Sequence, residues 1–343
     1  MQQKKINFSD RKKSLVTLLI YAVLFYTGLT GCTNEHVTEG SKKADSLSLK
    51  TISDLFDRSD EWKAPDTVSI AADDAGNLIR YGKSLIVNTA SYLGPKGGVS
   101  HSSNGMNCQN CHRDAGTRLY GNSFSAVAAT YPRFRPRSGT MESVEKRIND
   151  CMQRSLNGKA LDTNSREMKA MVAYIKWIGK DVEKGKPPKG ANIVELPFLD
   201  RAADPVRGKI GYEKHCVTCH GADGQGKLNE DGASYQYPPL WGEHSYNISA
   251  GMLRLTRLAG YIKSNMPDLT SSYEKPVLTD EEAWDIAAFV NSMPRPEKRF
   301  SQDWPDFSIK PFDFPYGPYG DSFSEAQHRN GPFAPIAALK KKK

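Results

Sequence analysis

Apolar side chains recur at helical spacing near the end of each half of this chain. In the first half they lie between Arg166 and Lys180; in the second, Thr279 and Glu282 form a capping-box pattern before a similar segment that Pro294 ends. No segment alternates apolar and polar residues as a half-buried strand does. The pattern predicts two amphipathic helices that face a core. Their apolar positions are Met168, Met171, Val172, Ile175, Ile178, Ala283, Ile286, Ala287 and Val290.

The chain also repeats its organisation, which indicates two small helical domains in tandem. A helical segment precedes a cysteine-containing motif in each half, from Gly76 to Thr89 and from Pro205 to His215. A Tyr-Pro pair follows each motif, at Tyr131-Pro132 and Tyr237-Pro238. We predict an all-α protein. The predicted parts are a leader (1–31), a flexible tether (32–61), a first domain (62–180), a linker (181–200), a second domain (201–298) and an aromatic-rich C-terminal extension (299–343).

Residues 1–31 have the basic, apolar and small-residue parts of a secretory signal, with an apolar run from Leu15 to Leu29. That run is shorter than the ~20 residues that a membrane-spanning helix needs, which disfavours an uncleaved membrane helix. The small residues before Cys32 resemble the lipobox of bacterial lipoproteins, in which that cysteine becomes the acylated first residue. We therefore expect a periplasmic or cell-envelope lipoprotein that Cys32 anchors to a membrane.

The formal net charge of +8 says little about partners, because much of the excess lies in the leader and in the terminal run Lys340–Lys343. Nucleic acid is therefore not an expected partner. Between Arg113 and Lys159, Lys and Arg outnumber Asp and Glu, and this region surrounds Cys151. A solvated basic face is the ordinary explanation of such a run; an anionic substrate or partner is the functional one.

Two CxxCH motifs, at 108–112 and 216–220, account for four of the six cysteines. In such a motif the two thiols bind the vinyl groups of one porphyrin, and the histidine supplies the proximal iron ligand. We therefore predict two haem c groups in two class I cytochrome c-like domains, with carbonyls near Pro132 and Pro238 orienting the two histidines. The attaching and ligating residues are Cys108, Cys111 and His112 in the first motif and Cys216, Cys219 and His220 in the second.

In the second half, the sixth iron ligand is expected on a loop between the haem motif and the last helix. Met266-Pro267 occupies this position, and Met/His ligation is typical of electron-transfer haems. Met252 and Met293 are competitors, but the first lies in a helix-like run and the second beyond the helix core. We predict Met266.

The first half has no comparable Met-Pro pair. Between His112 and the closing helix lie Met141, Met152 and Cys151. Most free cysteines are small buried core residues. Here, however, a short helical segment before Cys151 could direct its sulfur inward, so a thiolate ligand is the functional alternative. Such a ligand would lower the haem potential and keep the sulfur deprotonated.

These motifs resemble the dihaem thiosulfate dehydrogenases, from about Trp62 to Pro296. CxxCH alone fits many cytochromes, whereas the pattern Arg-x-x-x-Cys-x-x-x-Ser from Arg147 to Ser155 is far more specific. Some members carry Lys before the methionine and exchange the two ligands on reduction. Asn265 stands there in this chain, so Met266 is expected in both redox states. Further matching stretches are Tyr92–Pro95, Ala115–Thr117, Arg154–Lys159, Tyr237–Gly242, Ala250–Met252 and Asn265–Pro267.

The resemblance implies that His112 and Cys151 ligate the first haem iron, and that Arg137, Arg147 and Ser155 hold the substrate. It implies oxidative coupling of two thiosulfate anions to tetrathionate. Electrons would pass through the second haem to a soluble c-type cytochrome or a membrane oxidase. Four further basic residues could add positive field, but we expect most of them to be solvated at the surface. They are Arg133, Arg135, Arg154 and Lys159.

Three other functions fit a dihaem cytochrome. A non-catalytic electron-transfer cytochrome would need no reactive thiol. A dihaem peroxidase would need an open haem, against which a ligand at Cys151 argues. A thiosulfate-carrier cytochrome would attach its substrate to a partner's cysteine instead of releasing tetrathionate. The direction of the reaction, including tetrathionate reduction, depends on haem potentials that the residue pattern does not fix.

Overall fold

The computed structural model describes residues 61–341, which belong to one compact unit. The predicted signal, the anchor residue Cys32 and the tether up to residue 60 lie outside the described residues. Within residues 61–341, no helix combines the length and the apolar character that crossing a membrane requires. The boundaries proposed above inside this unit stay predictions.

Helices dominate both halves, and this confirms the all-α prediction. In the first half the elements are α1 Asp74–Val87, α2 Thr89–Leu93, α3 Arg113–Gly116, α4 Val127–Thr130, β1 Arg133–Arg135, β2 Thr140–Glu142, α5 Val144–Arg154 and α6 Arg166–Ile178. In the remainder they are α7 Pro205–His215, α8 Val217–His220, β3 Lys227–Leu228, β4 Tyr235–Tyr237, α9 Leu255–Asn265, α10 Asp280–Ser292, α11 Glu325–Asn330 and α12 Ala334–Lys341. Short 3-10 helices span Thr67–Ser69, Cys108–Asn110, Gly251–Leu253 and Phe307–Ile309.

Polar side chains start the main helices. The Asp73 carboxylate accepts the Gly76 N–H at the start of α1, and the Ser165 hydroxyl does the same for Met168 in α6. The predicted capping box of α10 is present, with Thr279 and Glu282 bonded reciprocally. These caps satisfy backbone N–H groups that the first helical turn leaves without partners.

The first and last helices cross closely in each half, and a glycine permits each crossing. A Cβ at Gly82 in α1 would lie 2.0 Å from the carbonyl oxygen of Ala170 in α6. A Cβ at Gly208 in α7 would lie 1.8 Å from the carbonyl oxygen of Asp285 in α10. The same helix pair therefore packs through the same kind of contact twice, which is the structural counterpart of the sequence repeat.

Two small antiparallel hairpins were not expected from the sequence. Strand β1 pairs with β2, with Phe134 opposite Met141, and β3 pairs with β4. Both of these apolar side chains are exposed. Because the strands have two or three residues each and Glu142 is their only buried residue, they show no alternation that a sequence pattern could reveal.

The C-terminal extension packs on both halves. The Trp304 N–H donates to the Arg137 carbonyl oxygen in the first half, at 2.7 Å. The buried Asp313 carboxylate accepts from Arg254 Nε in the second half, at 2.7 Å. The extension thus contributes charged groups to regions that the two cytochrome halves build.

Candidate functional site

The first CxxCH motif is held against the end of α1 and the start of α2. The Cys108 N–H donates to Thr89 Oγ1 at 3.0 Å, and Gln109 Nε2 donates to the Val87 carbonyl oxygen at 3.0 Å. Thr89 is fully buried. These bonds fix the attachment motif to the first-half core before any haem is considered.

The His112 ring is oriented by a backbone carbonyl, but not by the one we predicted. Its Nδ1 lies 2.6 Å from the Asn122 carbonyl oxygen, so the expectation of a carbonyl near Pro132 is wrong. Tyr120 and Asn122 adopt positive φ values, and this tight turn brings the loop back to the histidine. Burial lowers the pKa of His112 to about 4, so the imidazole is neutral and Nε2 is suited to iron.

The second motif has the expected arrangement. His220 is buried, and its Nδ1 lies 2.8 Å from the Pro238 carbonyl oxygen, as predicted. Met266 directly follows α9 and packs in the same apolar cluster as Cys216. Met252 and Met293 also contact this cluster, so the choice of Met266 as the iron ligand stays a prediction.

The residues of both motifs fit a covalently bound haem. All the cysteines within residues 61–341 are free thiols. Burial raises the pKa of Cys108 to about 11 and that of Cys111 and of Cys216 to about 12, so these groups are protonated thiols rather than competing thiolate ligands. Each half therefore presents two thiols and one histidine whose Nδ1 is already bonded. In the part of the chain described here, no cluster of three or more His, Cys, Asp or Glu forms a separate metal site.

Helix α5 aligns three of the predicted site residues. Arg147, Cys151 and Ser155 follow each other at intervals of four, and this spacing places them on one face of a helix. The Ser143 hydroxyl caps the helix, and the Ser155 N–H continues its bonding pattern by donating to the Cys151 carbonyl oxygen. All three predicted side chains are half-buried.

Electrostatics place this row beside the first motif. The charge interaction with Cys151 is the main cause that raises the pKa of Arg147. Burial is the largest cause that raises the pKa of Cys111, and Cys151 is the second largest. Arg147 in turn adds to burial in lowering the pKa of His112. Because such effects weaken with distance, Arg147 lies near both Cys151 and His112.

Arg147 makes no side-chain hydrogen bond or ion pair with the residues that the structure describes. Its guanidinium therefore keeps its five N–H donors for a ligand. The Ser155 hydroxyl likewise has no partner within residues 61–341. A free guanidinium and a free hydroxyl beside a thiol form a site that suits an oxyanion carrying a terminal sulfur.

Arg137 is differently placed from the other predicted substrate residues. Its Nη1 donates to Asp303 Oδ2 at 3.0 Å and to the Ser249 carbonyl oxygen at 2.9 Å, and its guanidinium stacks on Trp304. Burial lowers the pKa of Arg137 to about 10, an effect that the Asp303 carboxylate opposes. The structure thus brings Arg147, Cys151 and Ser155 together and engages Arg137 with the extension.

Sequence reasoning missed Asp303, which also binds Arg154. Arg154 Nη2 lies 2.7 Å from Asp303 Oδ1, and Nη1 lies 2.6 Å from Asp150 Oδ1. Arg154 is therefore buried, so it is not one of the basic residues that we expected to be solvated at the surface. No sequence signal could have found this pairing, because it joins positions 149 residues apart.

Two further arginines raise the local positive potential. The closest acidic partner of Arg135 is Glu142, at a loose 3.9 Å from Nε, and burial and Arg147 lower the pKa of Arg135. Arg257 on α9 makes no side-chain hydrogen bond with the described residues. Burial lowers its pKa, with smaller contributions from Arg254 and then Arg135, and the carboxylates of Asp313 and Glu195 oppose this. Arg257 is thus a cation of the second half that lies near Arg135, and no sequence motif marks it.

Comparison with known proteins matches both halves of the chain to cytochrome families. Residues 99–183 match the family described as SoxA/TsdA, cytochrome c domain, and residues 205–294 match the Cytochrome c family. The chain is 32% identical over 326 residues to a thiosulfate dehydrogenase of Psychrobacter arcticus, covering 86% of this chain and 95% of that protein. It is 42% identical over 197 residues to a thiosulfate dehydrogenase of Allochromatium vinosum, and the match covers 56% of this chain and 71% of that protein.

A solved structure is also similar. The thiosulfate dehydrogenase from Marichromatium purpuratum matches with a TM-score of 0.64 and 30% identity, over 70% of this chain. The match spans about half of that longer chain, at 51%. This likeness supports the fold of two tandem cytochrome c domains.

The fold and the two attachment motifs define a tandem c-type cytochrome with two covalently bound haem c groups, which confirms the predicted fold class and cofactors. The chain belongs to the thiosulfate dehydrogenase family, since it covers almost the whole length of a relative at 32% identity. The roles of individual ligand and substrate residues stay predictions.

Proposed function

We propose that this protein couples two thiosulfate anions to tetrathionate at the first haem site, with Cys151 holding the substrate sulfur. The observation that carries the proposal is the row of Arg147, Cys151 and Ser155 on one face of α5, electrostatically linked to the first CxxCH motif. A non-catalytic electron-transfer cytochrome needs neither a reactive thiol nor a partnerless guanidinium at this place.

The reaction balances at the sulfur atoms. The haem, when bound, supplies a sulfur-binding iron that accepts electrons singly. The outer sulfur of one thiosulfate forms a bond with Cys151 Sγ as two electrons leave. The outer sulfur of a second thiosulfate then attacks the held outer sulfur, which forms the central bond of tetrathionate and releases the Cys151 thiolate.

The cationic groups make this encounter feasible. Two thiosulfate dianions repel each other, so bringing both to one thiol requires positive charge at the site. Arg147 offers donors that no described residue occupies, and Ser155 can donate its hydroxyl hydrogen. The Arg137 guanidinium already donates to Asp303, so it has fewer N–H donors left for a substrate. We therefore assign Arg137 a weaker part in substrate binding than Arg147.

The two released electrons leave through the second haem, for which we propose His220 and Met266 as ligands in both redox states. A soluble c-type cytochrome or a membrane oxidase is the proposed acceptor. The proposed location is the periplasm or cell envelope, with a lipid anchor at Cys32. The same site would run as a tetrathionate reductase where the acceptor potential favours it.

The decisive experiment supplies the purified dihaem protein with thiosulfate and ferricyanide and measures free tetrathionate. We expect wild type to form tetrathionate and Cys151→Gly to form none. Gln153→Ala is the matched control, because this side chain lies on the same helix, away from the row, and makes no side-chain hydrogen bond with the described residues. An EPR spectrum of the oxidised protein should show a thiolate/histidine signal in wild type that Cys151→Gly lacks.

Each outcome separates the alternatives. If Cys151→Gly still forms tetrathionate, the protein has the proposed activity, but Cys151 does not hold the substrate sulfur. No tetrathionate from wild type, with normal electron exchange with a cytochrome, would favour the non-catalytic electron-transfer function. Thiosulfate consumption without free tetrathionate would favour a carrier function.

A further inference from the structure

Helix α9 of the second half lies directly on the first haem-attachment motif. The Tyr261 hydroxyl donates to the Asn110 carbonyl oxygen at 2.6 Å, inside the sequence Cys108 to His112. Tyr261 is buried, with 5% of its surface exposed. The end of α9 leads into Met266, so one helix joins the first attachment motif to the proposed sixth ligand of the second haem.

A second contact fixes the loop itself. Asn265 is fully buried, and its Nδ2 donates to the Tyr120 carbonyl oxygen of the first half at 3.1 Å and to the Tyr261 carbonyl oxygen at 3.1 Å. Asn265 therefore has hydrogen-bond partners in both halves. It ties the backbone before Met266 to the first half.

An ion pair completes the connection. Arg113 immediately follows His112, and its Nη2 lies 2.5 Å from Asp268 Oδ1. Asp268 is two residues beyond Met266, in the segment that directly follows α9. The side chains of Arg113 and Asp268 are 17% and 27% exposed, so water screens the pair only in part.

We propose that the Arg113–Asp268 pair is a positioning device that ties the Met266 loop to the first attachment motif and tunes the potential of the second haem. This deepens the proposed function, because it concerns the site that relays the electrons. The Asp268 carboxylate stabilises the oxidised, more positive state of a nearby haem, and the Arg113 guanidinium stabilises the reduced state. The pair also restrains the loop on which Met266 lies.

The test is a redox titration of the purified dihaem protein, with the second haem followed by its Met-to-iron charge-transfer absorption. Asp268→Asn should raise the potential of the second haem, and Arg113→Gln should lower it. In both variants the charge-transfer absorption should be lost at a lower temperature than in wild type. Glu243→Gln, which removes an exposed carboxylate of the second half, should change neither quantity.

Opposite shifts in the two variants support the pair, because mere loosening of the fold would move both potentials in the same direction. Asp268→Glu keeps the charge and should retain most of the wild-type potential. Equal shifts, or no shift beyond that of Glu243→Gln, would overturn the proposal. These readouts do not require tetrathionate formation, so the pair and the proposed function fail separately.

Discussion

Removing the Asp303 carboxylate is expected to destabilise the protein through the arginines of the first half. In Asp303→Ala, Arg137 loses the only ion pair that it makes within residues 61–341, at 3.0 Å, and Arg154 loses one of the two that it makes there, at 2.7 Å. The Arg137 and Asp303 side chains are each 11% exposed, and that of Arg154 is 5% exposed. Water therefore cannot replace the missing carboxylate fully.

The magnitude follows from what each arginine retains. Breaking a buried ion pair by removing one partner costs ~3–5 kcal/mol, because a buried charge is left uncompensated. Arg154 keeps Asp150 at 2.6 Å, and Arg137 keeps the Ser249 carbonyl oxygen and the Trp304 ring. We therefore expect Asp303→Ala to lower the free energy of unfolding by ~3 kcal/mol, the lower end of this range. This loss corresponds to a fall in Tm of ~6–12 °C for a domain of 150–250 residues, and to a somewhat smaller fall for a larger unit.

The assay is thermal and denaturant unfolding of the dihaem protein, followed by circular dichroism. Glu183→Ala is the matched control, because the Glu183–Lys186 pair is 68% and 72% exposed and should contribute within about 1 kcal/mol. Asp303→Asn should fall between wild type and Asp303→Ala, since it keeps some hydrogen bonding without charge. A loss in Asp303→Ala no larger than that in Glu183→Ala would refute the role assigned to this carboxylate.

Three further predictions follow from other parts of the structure. Arg147→Gln should lower kcat/KM for thiosulfate by ~10–100-fold, because the variant loses a charged hydrogen bond to the substrate. Lys146→Gln is the control and should leave kcat/KM unchanged. Similar kinetics in both variants would contradict the role of the Arg147 guanidinium in binding thiosulfate. Burial lowers the pKa of Lys310 from 10.5 to about 8, so folding disfavours its charged form. The free energy of unfolding should therefore rise between pH 8 and 10, by up to ~3 kcal/mol. If Lys310→Met shows the same rise with pH as wild type, Lys310 is not its cause. Gly208→Ala should lower the free energy of denaturant unfolding by ~3 kcal/mol, because the new Cβ meets the α7–α10 crossing. Gly251→Ala is the control, because open space surrounds Gly251. Equal stability of the two variants would disprove the close approach of α7 and α10.

Local chemistry explains what could be read from the residues alone. The CxxCH spacing is imposed by one porphyrin, so it needs no knowledge of the fold. The α10 capping box depends on residues three positions apart, and the row on α5 depends on intervals of four. For the same reason the position of Cys151 on a helix, facing the same way as Arg147, was accessible from the sequence.

Packing between distant segments decided the rest. The carbonyl that orients His112 belongs to Asn122 because a tight turn returns there, which no composition near Pro132 discloses. Arg137 meets Asp303 across 166 residues, and Arg113 meets Asp268 across 155. Sequence periodicity describes neighbours within a few residues, whereas these charges become partners only when the two halves and the extension fold against one another.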